Sequence, residues 1–264
     1  MDDPSPPPAY ITAAHSHGIP LRQTAPIKRG PPPLDIPILK YLRSKKIILA
    51  SASPRRQHLL SQLSLYPTIL PSSHPENLSQ KDKTPEQYVS ATAQEKCLSV
   101  YKTAIDSSEH DDPDLVIAAD TIIATRSGKI LEKPKSEQDH INMLKHLRDT
   151  VYHRVLTAVV VLAPKQDLSH PGYEMECHVE DTKVYFAGAE DGLPDDVIES
   201  YVKSREGADK AGGYAIQGVG GMVLVEKVEG SVDNVVGLPV RKCLQLCEQV
   251  VFRQGQEEDR GEDD

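Results

Sequence analysis

The stretch 47-IILASASPRRQHLLSQL-63 sets a β-branched apolar run directly before a helix-like pattern. The run predicts a strand over residues 46–50, and the leucines that follow at helical spacing predict a helix from Pro54 to Leu65. Pro54 suits the first turn of this helix, because its missing N–H group would have no partner there. The stretch therefore predicts a strand, a short connection and a helix.

The connection carries two hydroxyl groups and two permanent cations, at Ser51, Ser53, Arg55 and Arg56. A helix start already favours an anion through its backbone N–H groups and its dipole, and hydroxyl and guanidinium groups add donors. This combination predicts a phosphate site. The alternative is that Ser53 only caps the helix and that both arginines are solvated. The pattern G-x-x-x-x-G-K-[ST] is missing, which disfavours a P-loop kinase or GTPase.

Strand and helix patterns alternate along the rest of the chain. An unbroken apolar run at 114–125 predicts a strand buried on both faces, and Thr84 is predicted to cap a helix that begins at Pro85. The segment 164–176 is predicted to be a surface loop. The other predicted strands are 68–70, 151–163, 177–188 and 212–230, and the other predicted helices begin at Ser136, span Leu193 to Lys203 and span Pro239 to Phe252. This alternation predicts an α/β fold with a mixed sheet.

Composition divides the chain into one folded domain and two tails. Ten of the 21 prolines fall within residues 1–37, which predicts a disordered, proline-rich tail over residues 1–43. The net charge is −9, and about half of it comes from a predicted disordered tail at 254–264. We predict a single folded domain over residues 44–253. It is only mildly acidic, and the absence of Trp removes the best stacking platform for bases, so no nucleic-acid polymer is expected as a partner.

The cysteines and the apolar runs indicate the cellular setting. Cys97, Cys177, Cys243 and Cys247 form no C-x-x-C pair and have no histidine spacing suited to zinc, which favours reduced thiols inside the cell. No apolar run approaches the roughly 20 residues of a membrane span, and the N-terminus lacks the apolar core of a signal peptide. We therefore expect a cytoplasmic protein with no membrane partner.

Asp120 interrupts an apolar strand, where a carboxylate without partners would be costly. It should therefore meet partners or face a cleft, and such positions are enriched in metal ligands and general bases. A structural aspartate bonded to loop amides is the alternative. Lys133 follows a turn that could return it toward Asp120. For Lys133, and for Lys96 on the polar side of its helix, a solvated lysine is the alternative.

Two further segments supply polar groups. The segment 210-KAGGYAIQG-218 places glycines around the Gln217 amide, so that the backbone can approach a flat ligand closely. A tight hairpin would need the same residues. Glu76 lies in a polar loop after the second strand and has no meaning in isolation. Together with Asp120 and the lysines, these groups suit a nucleotide whose phosphates are held by cations and whose metal is held by carboxylates, and they predict metal-assisted hydrolysis of a phosphoanhydride.

Taken in order, the motifs resemble those of the Maf family of nucleoside triphosphate pyrophosphatases, which share the Maf/Ham1 (ITPase-like) fold. The resemblance runs from about Lys46 to about Phe252. Its motifs are 49-LASASPRRQHLL-60, 95-EKC-97, 118-AADTII-123, 131-LEKP-134, 209-DKAGGYAIQG-218 and 234-NVVGLP-239. The resemblance implies an elongated, twisted, mixed β-sheet flanked by helices, with the active-site cleft between two lobes. It also implies a homodimer that cleaves nucleoside triphosphates to the monophosphate and pyrophosphate with Mg²⁺ or Mn²⁺.

The resemblance also implies roles for individual residues. Asp120 would accept the proton of the attacking water, and Glu76 would join Asp120 in holding the metal. Lys133 would act beside them in the catalytic group. The residues implied to bind the substrate are Ser51, Ser53, Arg55, Arg56, Lys96, Lys133, Thr121, Lys210 and Gln217.

Three of these positions indicate the preferred nucleotide. One branch of the family prefers dTTP and UTP, and another, with Trp, Gln and Glu at three positions, prefers methylated guanine nucleotides. Here the three positions are Arg55, Thr121 and Gln217, which matches the dTTP/UTP branch. An amide can both donate to and accept from the imide edge of a pyrimidine.

Two hypotheses remain as alternatives to a dTTP/UTP pyrophosphatase. One is a nucleotide-binding scaffold of the same fold with weak catalysis, whose long ends engage partners. The other is an enzyme that acts on modified pyrimidine nucleotides. The chain also departs from the family pattern at Pro75, where an acid is common, which weakens the role expected of Glu76.

Overall fold

The computed structural model describes residues 34–73, 80, 82–107, 112–165 and 170–252. These residues contain one sheet of seven strands in the order β2-β1-β3-β5-β6-β7, with β4 paired to β3. The strands are β1 Ile47–Leu49, β2 Thr68–Ile69, β3 Leu115–Ala124, β4 Ile130–Leu131, β5 His153–Pro164, β6 Tyr173–Phe186 and β7 Val225–Glu229. Strands β2, β1 and β3 are parallel, and all other pairs are antiparallel. The predicted α/β class with a mixed sheet is confirmed.

Eight α-helices surround this sheet in the described part of the chain. They are α1 Pro37–Arg43, α2 Pro54–Gln62, α3 Pro85–Asp106, α4 Glu137–Asp149, α5 Asp195–Ser204, α6 Val219–Val223, α7 Val232–Val236 and α8 Val240–Phe252. The expected cap of α3 is present, because the Thr84 side chain accepts a hydrogen bond from the Gln87 N–H and the Gln87 side chain returns one to Thr84. None of these helices is both long and apolar enough to cross a membrane.

One face of the sheet carries two separate hydrophobic cores. The first holds Ala119 and Val159, with α1, α2 and α8 packed on it, and the second holds Ile123 and Val155, with α4 and α5. Side chains of a strand alternate between faces, so these four residues share one face. The opposite face is covered by α3.

A polar pair separates the two cores. Thr121 lies between Ala119 and Ile123 on β3, Thr157 lies between Val155 and Val159 on β5, and the two threonines are partners in the β3–β5 register. The apolar covering of this face is therefore interrupted at one place in the middle of the sheet.

The N-terminal boundary of the folded unit differs from the prediction. Residues 37–43 were expected to belong to a disordered tail, but they form α1, and the compact unit begins at Asp35. Ile38, Leu39 and Leu42 are buried in the first core, which supplies the physical reason for their order. Residues 1–33 of the predicted N-terminal tail and the acidic segment 254–264 lie outside the described residues.

Two predicted segments also differ from the structure. The expected strand over 212–230 is instead a 3-10 turn, the short helix α6 and the strand β7. Gly212 and Gly213 have φ angles of 71° and 75°, so the chain leaves extended geometry at that point. The predicted loop 164–176 is shorter than expected, because β5 and β6 pair as far as Pro164 and Tyr173.

Candidate active site

A cleft of about 630 Å³ opens beside a gap in the sheet. Strand β1 pairs with β3 as far as Ile117, and β4 begins to pair with the same edge of β3 at Ile123. No described strand pairs with this edge of β3 at residues 118–122. Asp120 and Thr121 lie in this gap, and their side chains point to opposite faces of the sheet. Both residues line the cleft. The strand was expected to be buried on both faces. Because β1 is short, Asp120 instead has an opening to the cleft on one side.

Asp120 is paired with Lys96. The Lys96 Nζ atom lies 2.7 Å from Asp120 Oδ1, and the two side chains are 13% and 15% exposed. The lysine comes from the middle of α3, which packs over the face of the sheet to which Asp120 points. Because the pair is largely removed from water, the two charges compensate each other at close range. The alternative of a solvated Lys96 is wrong.

Arg56 links three parts of the cleft wall. Its Nη1 group donates to Ser51 Oγ at 2.8 Å, its Nη2 group donates to Thr121 Oγ1 at 3.0 Å, and its Nε group donates to the carbonyl of Gly237 at 2.7 Å. The guanidinium therefore fixes the β1–α2 connection against β3 and against the end of α7. The alternative of a solvated Arg56 is wrong. Ser51 is buried behind this guanidinium.

The start of α2 faces the same cleft. Ser53 occupies the cap position of α2, but its side chain makes no capping hydrogen bond, so the alternative in which it only caps the helix is wrong. Ser53 and Arg55 both line the cleft. Lys210 lines the cleft as well, and it donates to the Asp209 carboxylate at 2.5 Å and to the carbonyl of Glu206 at 2.7 Å. Lys210 above all, with a smaller effect of Arg55, holds the pKa of Asp209 below its usual value.

The glycine segment 211–217 forms another wall of the cleft, and buried side chains hold it in place. His140 on α4 bonds through Nε2 to the carbonyl of Gly213 at 2.5 Å. His153 on β5 bonds through Nε2 to the Tyr214 hydroxyl at 2.8 Å. The Tyr201 hydroxyl accepts the N–H of Ala215 at 3.2 Å. A tight hairpin was the alternative for this segment, and no such hairpin is present among its described residues.

Glu206 secures the far end of this segment. Its carboxylate accepts the backbone N–H groups of Val219 at 3.0 Å and Gly220 at 2.8 Å, next to Gly218. Gly218 has a φ angle of 114°, and a Cβ atom there would overlap the Glu206 carboxylate. The exposed Gln217 is therefore held between the Tyr201 contact and the Glu206 contact.

Sequence reasoning named ten residues within the described part of the chain as site residues, and nine of them line this one cleft. Ser51 lies behind the wall, as described above, and Glu76 lies outside the described residues. The nine are Ser53, Arg55, Arg56, Lys96, Asp120, Thr121, Lys133, Lys210 and Gln217. The same reasoning missed His140, His153, Thr157 and Glu206. For Thr157 and His153 a signal existed, since each is a polar residue in or beside an apolar strand run.

The described residues contain no cluster of three His, Cys, Asp or Glu side chains close enough to hold a metal ion. A magnesium ion at a nucleotide site commonly takes only one or two protein carboxylates, with substrate phosphates and water as its other ligands. The carboxylate oxygens of Asp120 are hard donors and fit that pattern. One of them, Oδ1, also accepts a hydrogen bond from Lys96.

These features define a class: α/β proteins in which cations and a carboxylate surround a cleft beside a gap in a mixed sheet, as a phosphorylated ligand requires. The family model described as Maf-like protein matches residues 46–250. The dTTP/UTP pyrophosphatase of Schizosaccharomyces pombe is 41% identical over 222 residues, which cover 83% of this chain and 89% of that protein. The chain belongs to the Maf family.

Two relatives from other organisms agree with this placement. The probable bifunctional dTTP/UTP pyrophosphatase/methyltransferase protein of Homo sapiens is 40% identical over 220 residues, which cover 81% of this chain and 33% of that protein. The dTTP/UTP pyrophosphatase of Pyrococcus furiosus is 40% identical over 207 residues, which cover 77% of this chain and 95% of that protein. A solved dITP/XTP pyrophosphatase of Mycobacterium abscessus is 15% identical, with a TM-score of 0.32 over 54% of this chain and 74% of that chain.

Proposed function

We propose that this protein hydrolyses dTTP and UTP to the nucleoside monophosphate and pyrophosphate. The enzyme class, a nucleoside triphosphate pyrophosphatase, follows from membership of the Maf family and from relatives that carry this name. The observation that carries the proposal is the convergence of Arg55, Lys133 and the Lys96–Asp120 pair on one cleft. Cations suit the phosphates, and a carboxylate suits an attacking water.

The catalytic step assigned to the chain is proton transfer to Asp120. A water oxygen attacks the α-phosphorus, the bond from that phosphorus to the bridging oxygen breaks, and pyrophosphate leaves. The Asp120 carboxylate takes the proton of the water. Lys96 holds Asp120 Oδ1 at 2.7 Å, which orients the carboxylate and compensates its charge. Lys133 and Lys210 would bind the phosphate chain, with Ser53 and the start of α2 as further donors.

A divalent cation belongs to this proposal. Asp120, with Glu76 from outside the described residues, would hold Mg²⁺ or Mn²⁺, which would neutralise charge on the phosphate oxygens. The chain's own cations would act on the same phosphates.

We also propose that the protein is a cytoplasmic homodimer, which light scattering of the purified protein and microscopy of a tagged chain would test.

The base preference is assigned to Arg55, Thr121 and Gln217. All three line the cleft, and Gln217 and Thr121 come from different walls of it. The Gln217 amide can donate to and accept from the imide edge of uracil or thymine. A pyrimidine with an exposed imide is therefore the expected base.

The proposal is tested with a panel of nucleoside triphosphates and Mg²⁺, in which pyrophosphate and orthophosphate are measured separately. We expect dTTP and UTP to be the best substrates and pyrophosphate to be the product. The panel should include 5-modified uridine and deoxyuridine triphosphates, since the imide edge is the same in all of them. Release of orthophosphate alone, or no turnover of any pyrimidine nucleotide, would refute the proposal.

A further inference from the structure

A buried row of hydroxyl groups leads from the cleft into the sheet. Arg56 Nη2 lies 3.0 Å from Thr121 Oγ1, Thr121 Oγ1 lies 3.0 Å from Thr157 Oγ1, and Thr157 Oγ1 lies 3.0 Å from the carbonyl oxygen of Asn234. Thr157 and Asn234 are completely buried. Thr157 is not part of the cleft wall and lies directly behind Thr121, so it can act on a ligand only through Thr121.

The chemistry of the two ends fixes the direction of every proton in this row. A carbonyl oxygen can only accept, so the single proton of the Thr157 hydroxyl is donated to Asn234. Thr157 can then only accept from Thr121, and the single proton of Thr121 is used on Thr157. A guanidinium can only donate, so Arg56 occupies one of the two lone pairs of Thr121. The reverse orientation would leave two buried oxygen atoms facing each other without a proton.

We infer that Thr157 is a positioning residue that makes the Thr121 hydroxyl a pure hydrogen-bond acceptor toward the cleft. The group of a ligand that meets Thr121 must then be an N–H or O–H donor. This inference rests on the proposed function and deepens it. The N3 proton of uracil and thymine can be shared between the Gln217 amide oxygen and the remaining lone pair of Thr121, whereas N3 of cytosine carries no proton and is repelled by both oxygens.

The test removes the proton acceptor behind Thr121 without changing the shape of the core. In Thr157→Val the Thr121 proton has no partner in the sheet and can turn toward the ligand. We expect the ratio of kcat/KM for UTP to that for CTP to fall by about tenfold or more, because an unmatched buried acceptor is costly. The ratio of dissociation constants for the α,β-methylene analogues of UTP and CTP, measured by calorimetry, should change in the same direction. Thr157→Ser keeps the hydroxyl and should keep both ratios.

A matched control separates this effect from loss of a buried hydroxyl in general. Thr125 is also buried, and its hydroxyl bonds to Ser127 and to the N–H of Lys129 at the end of β3, away from the cleft. Thr125→Val should lower the melting temperature to a similar extent and leave both ratios unchanged. If Thr157→Val does not fold, Thr157→Cys, whose thiol is a weak acceptor, should give an intermediate ratio.

The outcomes distinguish the inference from the function on which it rests. A wild-type protein that binds both methylene analogues equally contradicts the proposed preference for a base with an imide edge, and with it the acceptor role of Thr121. A wild-type protein that prefers the UTP analogue, together with a folded Thr157→Val variant that keeps this preference, overturns the role of Thr157 and leaves the proposed function intact.

Discussion

Lys96 Nζ and Asp120 Oδ1 form a 2.7 Å ion pair in the wall of the cleft, between the middle of α3 and the stretch of β3 that lies between its contacts with β1 and β4. Both side chains are mostly shielded from water, so the removal of one charge takes a close opposite charge away from the other. The pair therefore has a structural effect and a proposed catalytic effect, and the two must be separated in any experiment on Asp120.

Asp120→Asn should abolish turnover and keep nucleotide binding. Loss of a general base lowers kcat by about 10²- to 10⁴-fold, while the amide has nearly the same shape as the carboxylate. The variant also takes the close Asp120 charge away from the Lys96 ammonium, so a loss of stability of at most about 3–5 kcal/mol is expected. The double variant Asp120→Asn with Lys96→Met should recover stability but not activity. Single-turnover kinetics and chemical denaturation would measure both, and full activity of Asp120→Asn would remove this residue as the base.

Arg55 and Arg56 should have separable effects. Arg56 donates to Ser51, Thr121 and the Gly237 carbonyl, so Arg56→Ala should weaken all triphosphates alike and lower the melting temperature. Arg55→Trp introduces the residue of the branch that prefers methylated guanine nucleotides, so it should change the ranking of nucleotides. Steady-state kinetics on UTP, dTTP and 7-methyl-GTP would measure this, and identical specificity profiles for the two variants would contradict the division.

Glu206 should control binding more than chemistry. Its carboxylate holds the N–H groups of Val219 and Gly220 and so positions Gln217, while Asp120 and Lys96 lie on other elements. In Glu206→Ala, KM for UTP should rise by about tenfold and kcat should change little. Glu226→Ala, which removes an exposed carboxylate from β7, should match the wild type. A fall in kcat alone would show that Glu206 affects the chemical step instead.

Periodicity was sufficient to predict most of the sheet. The strands around Asp120 and the helix start at Pro54 follow from apolar runs and turn residues, whose signals are local. The helix α1 could not be predicted, because its three buried side chains are stabilised by packing against α8 and the sheet, and its surroundings are rich in proline. The glycine segment 211–217 depends on contacts with His140 and Tyr201, which are distant in sequence.

The candidate site was predictable for residues that lie in ordered motifs and unpredictable for the residues behind them. Thr157 is meaningful only because the β3–β5 register sets it opposite Thr121. The register depends on the pairing of complete strands, and no short motif encodes it. Asp120 could be recognised from its own position, since a carboxylate in an apolar run needs an explanation wherever it occurs.

Truncation of the N-terminus should distinguish the helix α1 from the residues before it. Removal of residues 1–34 leaves the compact unit intact, so turnover and melting temperature should be unchanged. Removal of residues 1–43 also deletes Ile38, Leu39 and Leu42, each worth about 1.5–3 kcal/mol of burial. Leu39→Ala in the full chain is the matched control and should cost about 2–5 kcal/mol. If removal of residues 1–34 abolishes turnover, the prediction is wrong and the activity depends on the N-terminal segment.

His153 should make the protein less stable in acid. Burial lowers its pKa from 6.5 to about 3, so between these values the unfolded chain binds a proton that the folded chain does not. The stabilising contribution of the neutral form is complete above pH 6.5 and is lost progressively as the pH falls toward 3. Between pH 7.5 and pH 5 the free energy of unfolding should therefore fall by about 2 kcal/mol because of this residue.

The measurement is chemical denaturation at both pH values for the wild type and for His153→Gln. The glutamine is neutral at both values and can still reach the Tyr214 hydroxyl, so it should be less stable at pH 7.5 but should lose about 2 kcal/mol less on acidification. His58→Gln changes an exposed histidine on α2 and should lose as much as the wild type. Because folded His153 stays neutral down to about pH 3, its hydrogen bond to Tyr214 should persist at both pH values, so nucleotide binding by the folded protein should not change through this residue. Equal losses for the wild type and His153→Gln would show that His153 takes up no proton on unfolding.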